Sequence, residues 1–313
     1  MPQFVDLQGH RGARGLKPEN TLPAFEVALD WMVTTLELDL HLTKDQVPVV
    51  THDAQLSPTI YRQRPNTNGP RVATRPMVAA LTLEQLRGYL ADRNPSRRLY
   101  PNQDNTPTPV AQAYARQHNI EPYTIPTLAD VFAFVAAYAG NAGERANKTE
   151  PQRQRAREVR FNIELKRTPS RPQDIGDDFD GTGPSTFERQ TVRVIQQVNA
   201  VERTCIQSFD HRAVKAARQL SEGLRGAALV GGMAPGSIPE LVEAARAHVY
   251  SPHYRSLDQQ QVRQAQRQNI QVIPWTVNYI EDMRRLLEWH VDGIITDFPD
   301  RLANLLHGQH IEF

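Results

Sequence analysis

Thr35-Leu36-Glu37-Leu38-Asp39-Leu40 and Val47-Pro48-Val49-Val50, with Thr43-Lys44-Asp45-Gln46 between them, decide how this chain is read. Both flanking runs are rich in residues that suit strands. A parallel crossover needs about a dozen residues, and far fewer are present, so the two runs form an antiparallel hairpin. Outward from it, further β-rich runs occur at residues 4–8, 161–165, 204–207, 226–230, 248–251, 270–275 and 293–296. With 35–40 and the hairpin arm 47–50 these make nine. Setting the hairpin arm aside leaves eight parallel strands.

Helical patterns follow these strands at 22–32, 128–138, 187–198, 211–220, 237–247, 257–268, 280–288 and 300–306. Helix-start signals precede several of them: Thr127 with Asp130 three positions on, Ser256 before Leu257, and Asp297 before Pro299. Eight β–α units predict an α/β fold, a TIM (β/α)8 barrel. The 313 residues suit one barrel domain, 1–313, carrying an insertion. That insertion, 54–123, is rich in Pro, Asn, Arg and Thr. It is too long for a structureless loop and reads as a small cap after the second strand, with one helical stretch at 83–89. Leu81, Leu83, Leu86 and Tyr89 are spaced to pack that helix onto the barrel.

Lys and Arg total 36 against 35 Asp and Glu, so bulk charge indicates neither nucleic acid nor an anionic membrane as partner. No apolar run reaches the ~18 residues of an integral membrane segment. The chain as given is expected to be soluble and cytoplasmic; if an export signal was trimmed ahead of Gly9, it would be periplasmic or secreted. The lone cysteine, Cys205, reads as a buried structural thiol. The basic run from Arg153 to Arg160 reads as a solvated helix face. Asp177, Asp178 and Asp180 do not satisfy a calcium-loop pattern, because Gly176 and Phe187 fall where ligands are needed.

Barrel active sites lie at the C-terminal ends of the strands. After the first strand comes Gly9-His10-Arg11-Gly12, then Pro18-Glu19-Asn20-Thr21. His10 can move a proton near neutral pH, and Arg11 offers a planar fork to phosphate oxygens. Glu37 and Asp39 alternate onto one face and point into the mouth, an unfavourable pairing unless a cation neutralises them. Folding the hairpin about Lys44–Asp45 returns His52 beside them. The third strand ends Asn162-Ile163-Glu164-Leu165-Lys166, adding a third carboxylate and a cation. Such an oxygen set suits one divalent metal ion, Mg2+ or Ca2+. Trp275 in Trp275-Thr276-Val277-Asn278 can pack against a substrate's carbon backbone. Ser208 or Asp210 reads as a helix cap, and 292–299 as structural.

His10-Arg11-Gly12, Pro18-Glu19-Asn20-Thr21, Glu37-Leu38-Asp39, His52-Asp53, Asn162-Ile163-Glu164-Leu165-Lys166 and Trp275-Thr276-Val277-Asn278 together resemble the glycerophosphodiester phosphodiesterase family, in its order. The resemblance implies His10 and His52 as general acid and base, with Glu37, Asp39 and Glu164 on the metal. It also implies phosphate contacts from Arg11 and Lys166, and hydrolysis of a small-molecule glycerophosphodiester to glycerol 3-phosphate and an alcohol. Alternatives are a related enzyme acting on lysophospholipids or other lipid headgroups, or a non-catalytic phosphate-ligand binding barrel. Relatives that carry an Arg soon after the His-Asp pair differ from Ala54-Gln55-Leu56 here, which leaves the alcohol open.

Overall fold

The computed structural model describes residues 4–64, 75–233 and 236–308. The chain runs β1 (Asp6–Gly9), α1 (Leu22–Asp30), β2 (Thr35–Leu42), β3 (Pro48–Val50), β4 (Arg62–Gln63), α2 (Leu83–Leu86), β5 (Tyr89–Leu90), α3 (Pro109–Gln117) and α4 (Leu128–Ala139). It continues through α5 (Asn141–Arg145), α6 (Glu150–Glu158), β6 (Arg160–Leu165), α7 (Thr186–Gln197), β7 (Thr204–Ser208), α8 (His211–Leu220), β8 (Arg225–Val230) and α9 (Ile238–Ala244). It finishes with β9 (Val249–Pro252), α10 (Gln259–Gln266), β10 (Gln271–Val272), α11 (Ile280–Glu288), β11 (Gly293–Thr296) and α12 (Pro299–Leu306).

Eight parallel strands lie in the order β10-β9-β8-β7-β6-β2-β1-β11, and β3 pairs antiparallel with β2 as the hairpin reading requires. Pro274 has no N–H to donate and cuts β10 short of the expected 270–275. The ring still closes there, because Asp292 N donates to the Val272 carbonyl (2.9 Å), Ile295 N to Pro274 (3.0 Å) and Val277 N to Ile295 (3.0 Å). The fold is the expected TIM barrel.

Strand alternation sorts β2 into two faces. Leu36, Leu38, Leu40 and Leu42 join the main core between strands and helices, with Phe25, Phe134, Phe161 and Phe187. On the other face, polar side chains run up the barrel interior. Gln8 donates to Asp6 (2.9 Å), Asn162 to both Gln8 (2.8 Å) and Gln207 (3.0 Å), and Gln207 to Glu37 (2.9 Å). The ladder ties the barrel floor to the mouth through these amides, although the side-chain oxygen of Asn162 is buried without a hydrogen-bond partner.

Several sequence expectations change. Cys205 is only partly buried at the barrel floor, where desolvation pushes its thiol up to about 12. Asp258, not Ser256, caps α10, in a reciprocal box with Gln261. Asp210 does cap α8, while Ser208 donates to the Leu165 carbonyl. The basic run belongs to α6 up to Glu158, and Arg160 already opens β6. Arg153 on α6 is not a free charge: it pairs with Glu144 and Glu150.

Residues 65–74 of the insertion lie outside the described residues. Its helix spans only Leu83–Leu86, and the chain leaves it at Gly88 for β5, where Tyr89 pairs with Gln63 of β4. Leu81, Leu86 and Tyr89 pack into a small separate core with Leu56, Ile60, Tyr61 and Val78, resting on Val49 of the hairpin arm. Further along the insertion lies α3, missed in the sequence. Its first backbone amides, on Val110 and Ala111, donate to Glu26 of α1 (3.2 and 2.8 Å). A carboxylate at a helix N-terminus satisfies otherwise orphaned donors. Among the described residues no helix is long and apolar enough to cross a membrane.

Candidate active site

The turn after β1 is built around left-handed backbone at Arg11 (φ 50) and Gly12 (φ 82). A Cβ on Gly12 would lie 2.6 Å from the backbone of Ala24, so only glycine fits. The turn presents His10 and Arg11 to the mouth, and the Arg11 amide donates to Glu37 Oε2 (2.8 Å).

Glu37 and Asp39 point inward from β2, and Glu164 from β6 sits in register beside Asp39. One oxygen from each lies within 4.8 Å of the others, and all three residues are buried. Burial together with Asp39 and Glu164 pushes the Glu37 carboxyl well above its usual range. Burial also raises Glu164. Asp39 stays well below, held by Arg11 and Lys166 against the effect of burial. Lys166 Nζ lies 2.8 Å from Glu164 and 3.6 Å from Asp39. Asp39 Oδ2 accepts from Asn20 (2.8 Å), but Oδ1 is buried with no hydrogen-bond partner. Three close carboxylates, one with an unmet oxygen, fit a small divalent cation.

Both expected histidines line the same cavity, of about 390 Å3, with Arg11, Glu37, Glu164, Lys166 and Trp275. Each is fixed through Nδ1 by an aspartate. His10 meets Asp297 at 2.6 Å and His52 meets Asp53 at 2.7 Å. Neither aspartate engages Nε2, and in His10 this atom lies 3.9 Å from Glu37. Burial holds the His10 imidazole below its usual range, against the opposing pull of Asp297. The hydrogen bond from His52 holds Asp53 low. His52 is gripped from its backbone too, since His41 Nε2 donates to its carbonyl (3.1 Å). Burial pushes His41 down to about 4.

Arg11 lines the cavity, but its guanidinium is held by Glu19 (2.7 Å) and Asp39 (3.1 Å). Arg14, not singled out in the sequence, joins it on Glu19 (2.6 Å) and also faces the cavity. Trp275 is half-buried, with its indole N–H on the Ser251 carbonyl (3.0 Å) and its ring edge-on to Phe209 (5.5 Å between centroids). Phe209 forms part of the same wall and was also missed.

The largest correction concerns 292–299, read as structural. Asp297 is part of the site: Asn278 donates to its Oδ2 (2.7 Å), as does the Tyr100 hydroxyl (3.2 Å). Those bonds and the proximity of His10 keep Asp297 ionised despite its burial. The signal was available, because in a closed barrel the end of the last strand must neighbour the end of the first.

Comparison with known proteins bears on the family and the fold. The glycerophosphoryl diester phosphodiesterase family matches residues 10–301. A glycerophosphodiester phosphodiesterase of Caldanaerobacter subterraneus subsp. tengcongensis is 27% identical over 302 residues, 95% of this chain and 96% of that protein. A second, from Bacillus subtilis, is 25% identical over 311 residues, 98% of this chain and 88% of that protein. A crystal structure from Silicibacter pomeroyi, assigned as a glycerophosphoryl diester phosphodiesterase, superposes with a TM-score of 0.76 at 26% identity, covering 99% of this chain and 96% of that one. The chain therefore belongs to the glycerophosphoryl diester phosphodiesterase family, a family of phosphoric diester hydrolases.

Proposed function

We propose that this enzyme hydrolyses glycerophosphodiesters to glycerol 3-phosphate and an alcohol, with His10 and His52 as its acid–base pair and one divalent cation as cofactor. The observation that carries the reading is the meeting, in one cavity, of two His–Asp pairs and a buried three-carboxylate cluster. Glu37, Asp39 and Glu164 are the residues that would hold Mg2+ or Ca2+. When bound, such a cation draws charge from the phosphate oxygens and stabilises the transition state.

The protein's own groups supply the rest. One imidazole accepts a proton from attacking water as the new O–P bond forms. The other delivers a proton to the alkoxide as the old P–O bond breaks. Asp297 and Asp53 fix the ring orientations and keep Nε2 facing the reacting atoms. Lys166, whose partners here are Glu164 and Asp39, lines the same cavity and would contact the phosphate if those carboxylates held a cation. Arg11 and Arg14 add positive potential at the wall. Trp275 and Phe209 give the glycerol carbons an apolar surface.

The insertion, 54–123, acts in this reading as a roof over one side of the site. Its contacts support that role: Tyr100 reaches Asp297, Gln103 donates to the Arg14 carbonyl (2.6 Å), and Lys17 pairs with Asp104 (2.6 Å). The test is turnover of glycerophosphocholine and bis(p-nitrophenyl) phosphate by purified protein, before and after EDTA, with Mg2+, Ca2+ or Mn2+ restored. Metal-reversible hydrolysis is expected. Full activity in excess chelator, with no metal in the protein, would overturn the cation's part.

A further inference from the structure

Beyond His52 the catalytic cavity opens into a larger groove of about 920 Å3, and the two share His52 and Lys166 in their walls. One side is the insertion, through Gln55, Ser57, Arg75 and Met77; the other is the loop after β6, through Thr168, Arg171 and Gln173. Among the described residues no Phe, Tyr or Trp lines it. At its inner end is His41, whose Nε2 donates to His52 and whose Nδ1 is buried without a hydrogen-bond partner.

We infer that this groove takes the alcohol half of the diester and selects a hydroxyl-rich, uncharged or anionic headgroup over a quaternary ammonium. The inference rests on the hydrolysis proposed above. Glycerophosphate is the small, constant half of every such substrate, and the 390 Å3 cavity with its Trp275–Phe209 wall suits it. The variable half then extends past His52 into the larger, open space.

That space has the wrong chemistry for choline. Quaternary ammonium groups are recognised by aromatic faces, and none is offered there. The groove instead presents amide and hydroxyl groups on Gln55, Ser57, Thr168 and Gln173, which can exchange hydrogen bonds with several hydroxyls. Its cations are Arg75, Arg171 and Lys166; its carboxylates, Asp53 and Asp174, are turned to His52 and Arg171. Arg171 is 61% exposed and pairs with Asp174 through Nε at 3.2 Å, a contact that leaves its terminal nitrogens to meet a hydroxyl or an anion.

The experiment compares kcat/KM for glycerophosphoglycerol, glycerophosphoinositol and glycerophosphocholine, in wild type and in Arg171→Gln and Gln173→Ala. Wild type is expected to favour the two polyol diesters by about tenfold or more, the scale of one or two well-made hydrogen bonds. Each variant should shrink that ratio several-fold; a ratio cancels any general loss of activity. Equal rates on all three, a preference for choline, or a ratio untouched by both variants overturns the inference alone. Failure to turn over any diester, bis(p-nitrophenyl) phosphate included, overturns the hydrolysis reading and this one with it.

Discussion

His10 Nδ1 lies 2.6 Å from Oδ1 of Asp297, a residue 287 positions away in the chain. The contact exists because the barrel closes: β11 pairs in parallel with β1, with Gly9 beside Thr296. The buried carboxylate fixes one tautomer of the ring and orients Nε2 inward.

Asp297→Asn keeps the shape and removes the charge. We expect kcat to fall by roughly 10^2-fold or more, with a smaller change in KM and unchanged metal content. Tyr100→Phe removes a neutral bond to the same carboxylate and should lower kcat only a few-fold. Steady-state kinetics with metal analysis checks both; near-normal kcat in Asp297→Asn would leave Asp297 a structural residue.

His10→Ala and His52→Ala should each lower kcat by roughly 10^2–10^4-fold, the range for a positioned acid or base. Thermal stability should change little. Both rings sit at the mouth, and Asp297 keeps Asn278 and Tyr100 when His10 is lost. A variant with wild-type turnover removes its histidine from the reaction.

Glu164→Gln should weaken divalent-metal affinity and activity together. Binding of a cation to the folded state alone should also raise the melting temperature of chelator-treated wild type. At a hundredfold excess over Kd the gain is about 2.7 kcal/mol. Calorimetric titration and melting curves test this. If Glu164→Gln binds metal as tightly as wild type, Glu164 is not a ligand.

Arg167 holds the loop after β6 by gripping Asp177 (2.6 Å) and Glu188 (2.5 Å), with all three side chains at most 5% exposed. Arg167→Met leaves two buried carboxylates without their partner and should cost about 3–5 kcal/mol at neutral pH. The pH dependence follows from Asp177, whose hydrogen bonds to Arg167 lower it below the usual carboxylate range despite desolvation. A depressed folded-state value stabilises the fold above the unfolded-state value, about 3.9, and that contribution is lost as pH falls through the folded one. The gap between wild type and Arg167→Met should therefore narrow on acidification. Urea melts across pH 7 to 3 would show it; a constant gap would contradict the assignment.

The barrel and the carboxylate cluster were legible because they follow from local rules. Strand alternation alone turns Glu37 and Asp39 to one face, and a linker too short for a crossover forces β3 back against β2. Both facts are carried by a few neighbouring residues. Asp297, Tyr100 and Phe209 were not legible in this way. Their roles depend on contacts between elements far apart in sequence: ring closure sets Asp297 beside His10, and the packing of the insertion brings Tyr100 to the same carboxylate. The helix expected over residues 83–89 failed because Gly88 ends it and Tyr89 finds a strand partner in Gln63. Local periodicity could not register that competing pairing. The amino-acid order thus determined which side chains face the barrel mouth, since alternation is a property of the backbone. Only the tertiary structure decided which charges meet there, since a buried ion settles its state by partners that the closed fold delivers.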